Sequence, residues 1–125
     1  MSSRLIDPLV INIESSTINN LAYRNVIHTG LNMQLTIMSL DAMESIDWEM
    51  HSGEQFIRVE KGSGHFDVKI NNELLRYDLK DGVAFIVPSS TEHFIQAGTC
   101  GLKLYTIYSP PVHPRGTQNL TKDDT

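Results

Sequence analysis

The sequence predicts an all-β sandwich or barrel, and three observations lead there. Apolar and polar residues alternate in run after run, the two-residue period of a strand with one buried face. Turn-forming residues such as Thr29-Gly30, Asn71-Asn72, Asp81-Gly82 and Pro88-Ser89-Ser90 separate the runs at short intervals. No strongly periodic helical stretch lies between the runs, which argues against a parallel α/β sheet.

The elements follow in chain order. Asn12 to Leu21 reads as a short helical segment, with Ser15, Ser16 and Thr17 as capping residues. Ala22 to Ile27 reads as the first strand, with His28 at its end and no evident role for it. In the next run the apolar residues Leu31, Met33, Leu35 and Ile37 are expected inside. Gln55, Ile57 and Val59 alternate with Arg58 and Glu60, and Lys61-Gly62-Ser63-Gly64 closes that run. Phe66, Val68 and Ile70 then oppose His65, Asp67 and Lys69, which points His65 to solvent. Asn71-Asn72 predicts a tight hairpin into Leu75, Tyr77 and Leu79. Val83 to Val87 is an apolar run, and Leu102 and Leu104 continue the alternation. Each run is read as a separate strand of about five to eight residues. The tail holds Pro110, Pro111, Pro114 and Gly116, so it either wraps the barrel or frays, and His113 is read as a tail residue.

The 125 residues suit one domain, 1-125, with a barrel core at 22-109 and the N-terminal segment and Pro-rich tail packed on it. The formal net charge of -5 argues against a nucleic-acid partner, which calls for a basic face. No apolar run approaches the roughly 20 residues that cross a bilayer, so no membrane partner is expected. The start Met-Ser-Ser-Arg-Leu-Ile-Asp-Pro has no apolar core of a secretory signal, so a soluble, cytoplasmic chain is expected. The lone Cys100 excludes an internal disulfide and a Cys-rich zinc site, and reads as a small buried hydrophobe.

Two places concentrate metal-ligating side chains. In an extended strand Glu49 and His51 share a face, with Met50 opposite. Ser52-Gly53 then allows a bend, and Gln55 opens the next inward row. His93 follows the Pro88-Ser89-Ser90 turn and shares parity with Ile95, so it too faces inward. Glu54 and Glu92 have the opposite parity and are expected in water. Trp48, Phe56, Phe85, Phe94, Tyr105 and Tyr108 are assigned to core or interface. Phe56 and Met50 interrupt otherwise polar faces, which suggests cover by another segment or a partner chain.

These spacings resemble the cupin superfamily over most of the chain. Its first motif has the form G-x5-H-x-H-x3-E-x6-G. Here Glu49 stands at the first histidine, His51 at the second, Gln55 at the glutamate and Gly62 at the closing glycine, while Met43 replaces the opening glycine. Its second motif has the form G-x5-P-x-G-x2-H-x3-N. Gly82, Pro88 and His93 match it, and Ser90 and Ala97 depart from it. The stretches 55–62, 102–111 and 113–117 resemble small single-domain cupins of the "mannose-6-phosphate isomerase-like" branch. The histidine usual in that branch after Gly-Thr is replaced by Asn119.

The resemblance implies a double-stranded β-helix, the jelly-roll cupin barrel. It further implies a divalent metal ion (Zn, Fe, Mn or Ni) held by Glu49, His51, Gln55 and His93, and a homodimer. Two imidazoles and a carboxylate suit such an ion and leave positions open, with Gln55 as a weaker, uncharged donor or a hydrogen-bonding neighbour. One anionic ligand leaves net positive charge, which favours a small polar or anionic molecule, with Arg24 and Lys103 as the cations to follow. Such a metal-binding cupin could act as an oxygenase or an isomerase. The alternative is a non-catalytic binding or sensing module. A metal-free epimerase type would need a His–Asp dyad, for which the sequence places no Asp near His51 or His93.

Overall fold

The computed structural model describes residues 8–125. A short helix, α1 (Ile13–Asn19), precedes the strands. Its N-cap is Asn12, whose side-chain oxygen accepts the Ser15 N–H at 2.9 Å. The expected cap at Ser15 to Thr17 is therefore displaced to the residue before the helix, because the cap must be extended backbone with a short oxygen-bearing side chain. Thr17 is fully buried instead.

The strands are β1 (Arg24–Thr29), β2 (Gln34–Leu40), β3 (Ser45–Glu49), β4 (Glu54–Ile70), β5 (Glu73–Lys80), β6 (Ala84–Val87), β7 (His93–Ser109) and β8 (Gln118–Asn119). They join one antiparallel sheet in the order β5-β4-β7-β2-β1-β8, with β3 on β7 and β6 on β4. Two strands run for 17 residues each, so the expectation of uniformly short strands is corrected. The residues 61–64 bend β4 without ending it. Its first half pairs with β6 and with 102–109 of β7, and its second half pairs with β5 and with 93–97 of β7.

The corner is set by aligned irregularities on neighbouring strands. Gly62 adopts φ +109, and a Cβ there would collide with the Gly101 carbonyl oxygen. Its N–H donates to Asp81 Oδ1 at 2.8 Å, and Gly82 N–H donates to the Val59 carbonyl at 2.9 Å. β4, β7 and the β5–β6 run therefore turn together, and one sheet becomes two facing layers: a jelly-roll barrel. The hairpin at Asn71-Asn72 is as expected, with φ +53 and +65 on its two central residues.

Directly opposed residues of an antiparallel ladder share a face, so the register assigns the interior. One layer contributes Gln55, Ile57 and Val59 from β4, Tyr108, Thr106 and Leu104 from β7, and Gln34, Thr36 and Met38 from β2. The other contributes Ile95 and Ala97, with Phe66, Val68 and Leu79. This corrects the reading of β2: its apolar odd positions Leu35 and Ile37 face outward, and Gln34 and Thr36 are the fully buried ones. Leu31 lies outside the strand and is 93% exposed. Cys100 sits exposed in the bend of β7, not buried as expected. The tail does wrap the barrel: β8 pairs with β1 at Arg24 and Asn25.

Candidate metal centre

Glu49 ends β3 and is the direct partner of His93, the first residue of β7. Both side chains therefore enter the space between the layers. His51 lies two residues further on, where the chain leaves β3, and its carbonyl accepts the Ser90 N–H at 2.7 Å. That bond ties the first ligand-rich segment to the turn that precedes His93. Gln55 follows the Ser52-Gly53 bend on β4, beside Tyr108 in the ladder.

Glu49, His51 and His93 converge as expected. The Nε2 atoms of His51 and His93 lie 3.3 and 3.4 Å from the same oxygen, Glu49 Oε1. One ligand atom from each of the three residues lies within 4.8 Å of the others. Ligands about 2.1 Å from one ion, at angles between octahedral and tetrahedral, are separated by about 3.0 to 3.4 Å. The two carboxylate–imidazole spacings thus fit a shared cation of that size.

The protonation pattern points the same way. His93 Nδ1 lies 3.0 Å from the Thr91 carbonyl. A carbonyl only accepts, so Nδ1 carries a hydrogen, and in the neutral imidazole Nε2 is then a bare lone pair. That lone pair faces a carboxylate, and the contact calls for a positive charge between them: a proton or a metal ion. His93 is 1% exposed, and its Nε2, His51 Nε2 and Gln55 Oε1 are all buried without a hydrogen-bond partner. Burial pushes the Glu49 carboxyl up, but the two imidazoles beside it, His51 and His93, outweigh that and bring it down to about 2. Glu49 is therefore a carboxylate at neutral pH.

Gln55 does not meet the ligand group as a free side chain. Its Nε2 donates to Thr106 Oγ1 at 2.9 Å, which orients the amide and leaves the carbonyl oxygen as the unpaired end. Arg24 lies on the inner face by register, opposite Met38. Its Nη1 donates to Asn119 Oδ1 at 3.3 Å, and its Nε is buried without a partner. Lys103 lies on the other face and donates to the Asn20 carbonyl, so it is not part of this site. His65 is not simply solvated. It pairs with Asp67 at 3.1 Å, and Arg76 forks onto both Asp67 oxygens at 2.8 and 3.0 Å, all on the outer face of β4.

Two residues of the site escaped sequence reading. The Tyr108 ring stands edge-on to His51 at 5.3 Å and to His113 at 5.3 Å. Burial, with the Glu49 charge, raises the Tyr108 hydroxyl and keeps it a phenol. His113 is held there by Gln34, which donates to the His113 carbonyl at 2.7 Å and accepts from the N–H groups of Val112 and His113 at 3.2 and 3.0 Å. Burial, with Arg24, lowers His113 to about 4, so it is neutral at pH 7. A signal for this clamp existed, since Gln34 and Thr36 share parity with Met38 and Leu40, but the apolar odd positions outweighed it.

A family model described as the cupin domain matches residues 36–108. The YrkC protein of Bacillus subtilis (strain 168) is 40% identical over 121 residues, covering 94% of this chain and 65% of that protein. The L612 protein of Acanthamoeba polyphaga mimivirus is 40% identical over 110 residues, covering 86% of this chain and 68% of its own length. The chain thus spans about two thirds of the length of these relatives. The crystal structure of BH2720 from Bacillus halodurans superposes with a TM-score of 0.90 at 37% identity, covering 95% of this chain and 93% of that one. With the barrel, the matched domain and these likenesses together, the chain belongs to the cupin family.

Proposed function

We propose that this cupin binds a divalent metal ion through Glu49, His51 and His93, with Gln55 Oε1 as a fourth donor, and acts on a small polar or anionic molecule at the remaining positions. One observation carries the reading: two buried imidazole nitrogens, one of them turned inward by its own backbone hydrogen bond, aim at a single carboxylate oxygen at ligand spacing. When bound, such an ion supplies a Lewis acid, or with Fe(II) a site for dioxygen chemistry. The protein's own residues supply the rest. Thr106 orients Gln55, and Tyr108 covers His51 and presents a neutral phenol. Arg24 places positive charge near Tyr108 and His113, where it favours an anionic group on the molecule bound.

Within the family, the chain fits the small mannose-6-phosphate isomerase-like branch, acting as an oxygenase or an isomerase in the cytoplasm. It also suits a homodimer. Leu35, Ile107, Phe56 and Ile86 are successive cross-strand neighbours in one apolar row on the outer face. Sedimentation velocity should then show twice the chain mass.

The decisive test is metal content of protein purified without a metal-affinity tag. The unaltered chain should carry close to one ion, and His51→Ala or His93→Ala should lower this at least tenfold, the order expected for losing a metal ligand. Undiminished metal in both variants would overturn the proposal. Oxygen uptake restored by Fe(II) but not by Zn would select the oxygenase over the isomerase.

A further inference from the structure

We propose that the cavity between the inner faces of β5 and β6 is a binding site for the neutral aryl group of a small molecule, seated beside the metal centre. The cavity has a volume of about 410 Å³, within the range of small-molecule sites. Phe66, Val68, Ile70, Tyr77, Leu79 and Phe85 line it. Register places Phe66, Val68 and Ile70 on one inward row and Tyr77 and Leu79 on the facing row. Inward residues of a filled barrel are covered, as Val68 and Leu79 are at 4% and 3% exposure, yet Ile70 and Tyr77 are 41% and 52% exposed. They face the interior and are left only partly covered there.

The lining favours a flat, uncharged occupant. Phe66 stacks on Phe85 with centroids 4.1 Å apart and planes 25° from parallel, and on Tyr77 at 6.1 Å and 26°. All three rings line the void, so a planar ring seated there would meet an aromatic wall. The six lining side chains named above are apolar or aromatic and none carries a charge, which favours an uncharged group at this end. The cavity also shares a wall with the metal centre. The Phe66 ring lies 6.5 Å from that of His93, and Val68 is the ladder partner of His93. An aryl group here would point the polar end of its molecule at the centre. Only that last step rests on the metal reading.

Benzyl alcohol is the probe, titrated into the full isotope-labelled chain and followed by amide NMR, with ethanol as the ringless control. Saturable shifts at Tyr77, Ala84 and Phe85 are expected for benzyl alcohol and not for ethanol. Tyr77→Ser and Ile70→Asn change half-exposed side chains, so the fold should persist, and each should weaken binding about tenfold through lost apolar contact. Shifts that do not saturate, that map elsewhere, or that persist with equal affinity in both folded variants overturn the proposal. So does benzyl alcohol binding that first requires a dimer to dissociate, because a second copy would then be the occupant. The link to the centre is read separately with Zn-loaded protein. Benzohydroxamate should bind about tenfold more tightly than acetohydroxamate, and Tyr77→Ser should abolish the preference. Metal bound without that preference sinks the inferred link. Benzyl alcohol bound by a chain that takes no metal sinks the metal reading and leaves the aryl site standing.

Discussion

Gln34 shows what a single polar side chain does in the interior of this barrel. It is fully buried, yet its amide is satisfied on both ends by Thr29, Val112 and His113. Replacing it with leucine would keep the volume and strand three backbone polar groups of the tail. Each net hydrogen bond is worth about 1 kcal/mol, and more where the abandoned partner stays dry. Gln34→Leu should therefore lose roughly 2 to 4 kcal/mol in urea unfolding, and His113 should leave Tyr108. Gln55 offers the opposite test. Gln55→Glu keeps an acceptor for the Thr106 hydroxyl and adds negative charge where the unpaired Oε1 now sits. It should raise metal affinity by about tenfold if that oxygen faces the ion. Equal affinity in a folded Gln55→Glu variant would remove Gln55 from the ligand set. At this scale the ligands were readable because Glu49-x-His51 and the turn before His93 fix parity within a few residues. Gln34, Tyr108 and His113 were not, because they meet across chain separations of up to 79 residues.

At the scale of elements, local signals are legible in the sequence and long-range ones are not. Asn71-Asn72 declares its hairpin, since asparagine tolerates the left-handed backbone that the turn requires. The inner faces of β4 and β5 follow from simple alternation. The glycines at 62 and 64 looked like a strand end because nothing local distinguishes a turn from a corner, where the ladder continues on both sides. The odd apolar positions of β2 point away from the core for a related reason: Ile37 is buried on the outer face, at a hollow that Leu9 and Ile11 also line, and not by the barrel core. The corner gives a clear contrast. Gly62→Ala adds a methyl against the Gly101 carbonyl as well as strain at φ +109, whereas Gly82→Ala, at φ +85, meets open space. Gly82→Ala should cost about 1 kcal/mol of backbone strain, and Gly62→Ala about 1 to 3 kcal/mol more. Equal midpoints for the two in urea would mean that the strands can part at the corner without loss.

For the molecule as a whole, the site's charges imply a stability that falls with acid. Burial, with Arg24, depresses His113 in the folded chain from 6.5 to about 4, against a smaller opposing pull from Glu49. A histidine depressed on folding is neutral in the native state while its unfolded counterpart takes up a proton, so the unfolded state binds more protons in that window and stability rises with pH. The contribution is complete above about 6.5, declines as pH falls toward about 4, and has a limiting slope of about 1.4 kcal/mol per pH unit. Asp67 adds a second contribution of the same sign at lower pH. The Arg76 fork holds its carboxyl below the usual value, so its stabilisation is present above the unfolded pKa and lost as pH falls toward the depressed one. Unfolding followed from pH 7 to pH 3 should show stability dropping first with the His113 titration. In His113→Gln, which keeps a polar ring-sized group and removes the proton, the slope between pH 6.5 and 5 should flatten while that below 4 remains. A slope unchanged in His113→Gln would place the acid sensitivity elsewhere, and His113 would then be only a lid on Tyr108.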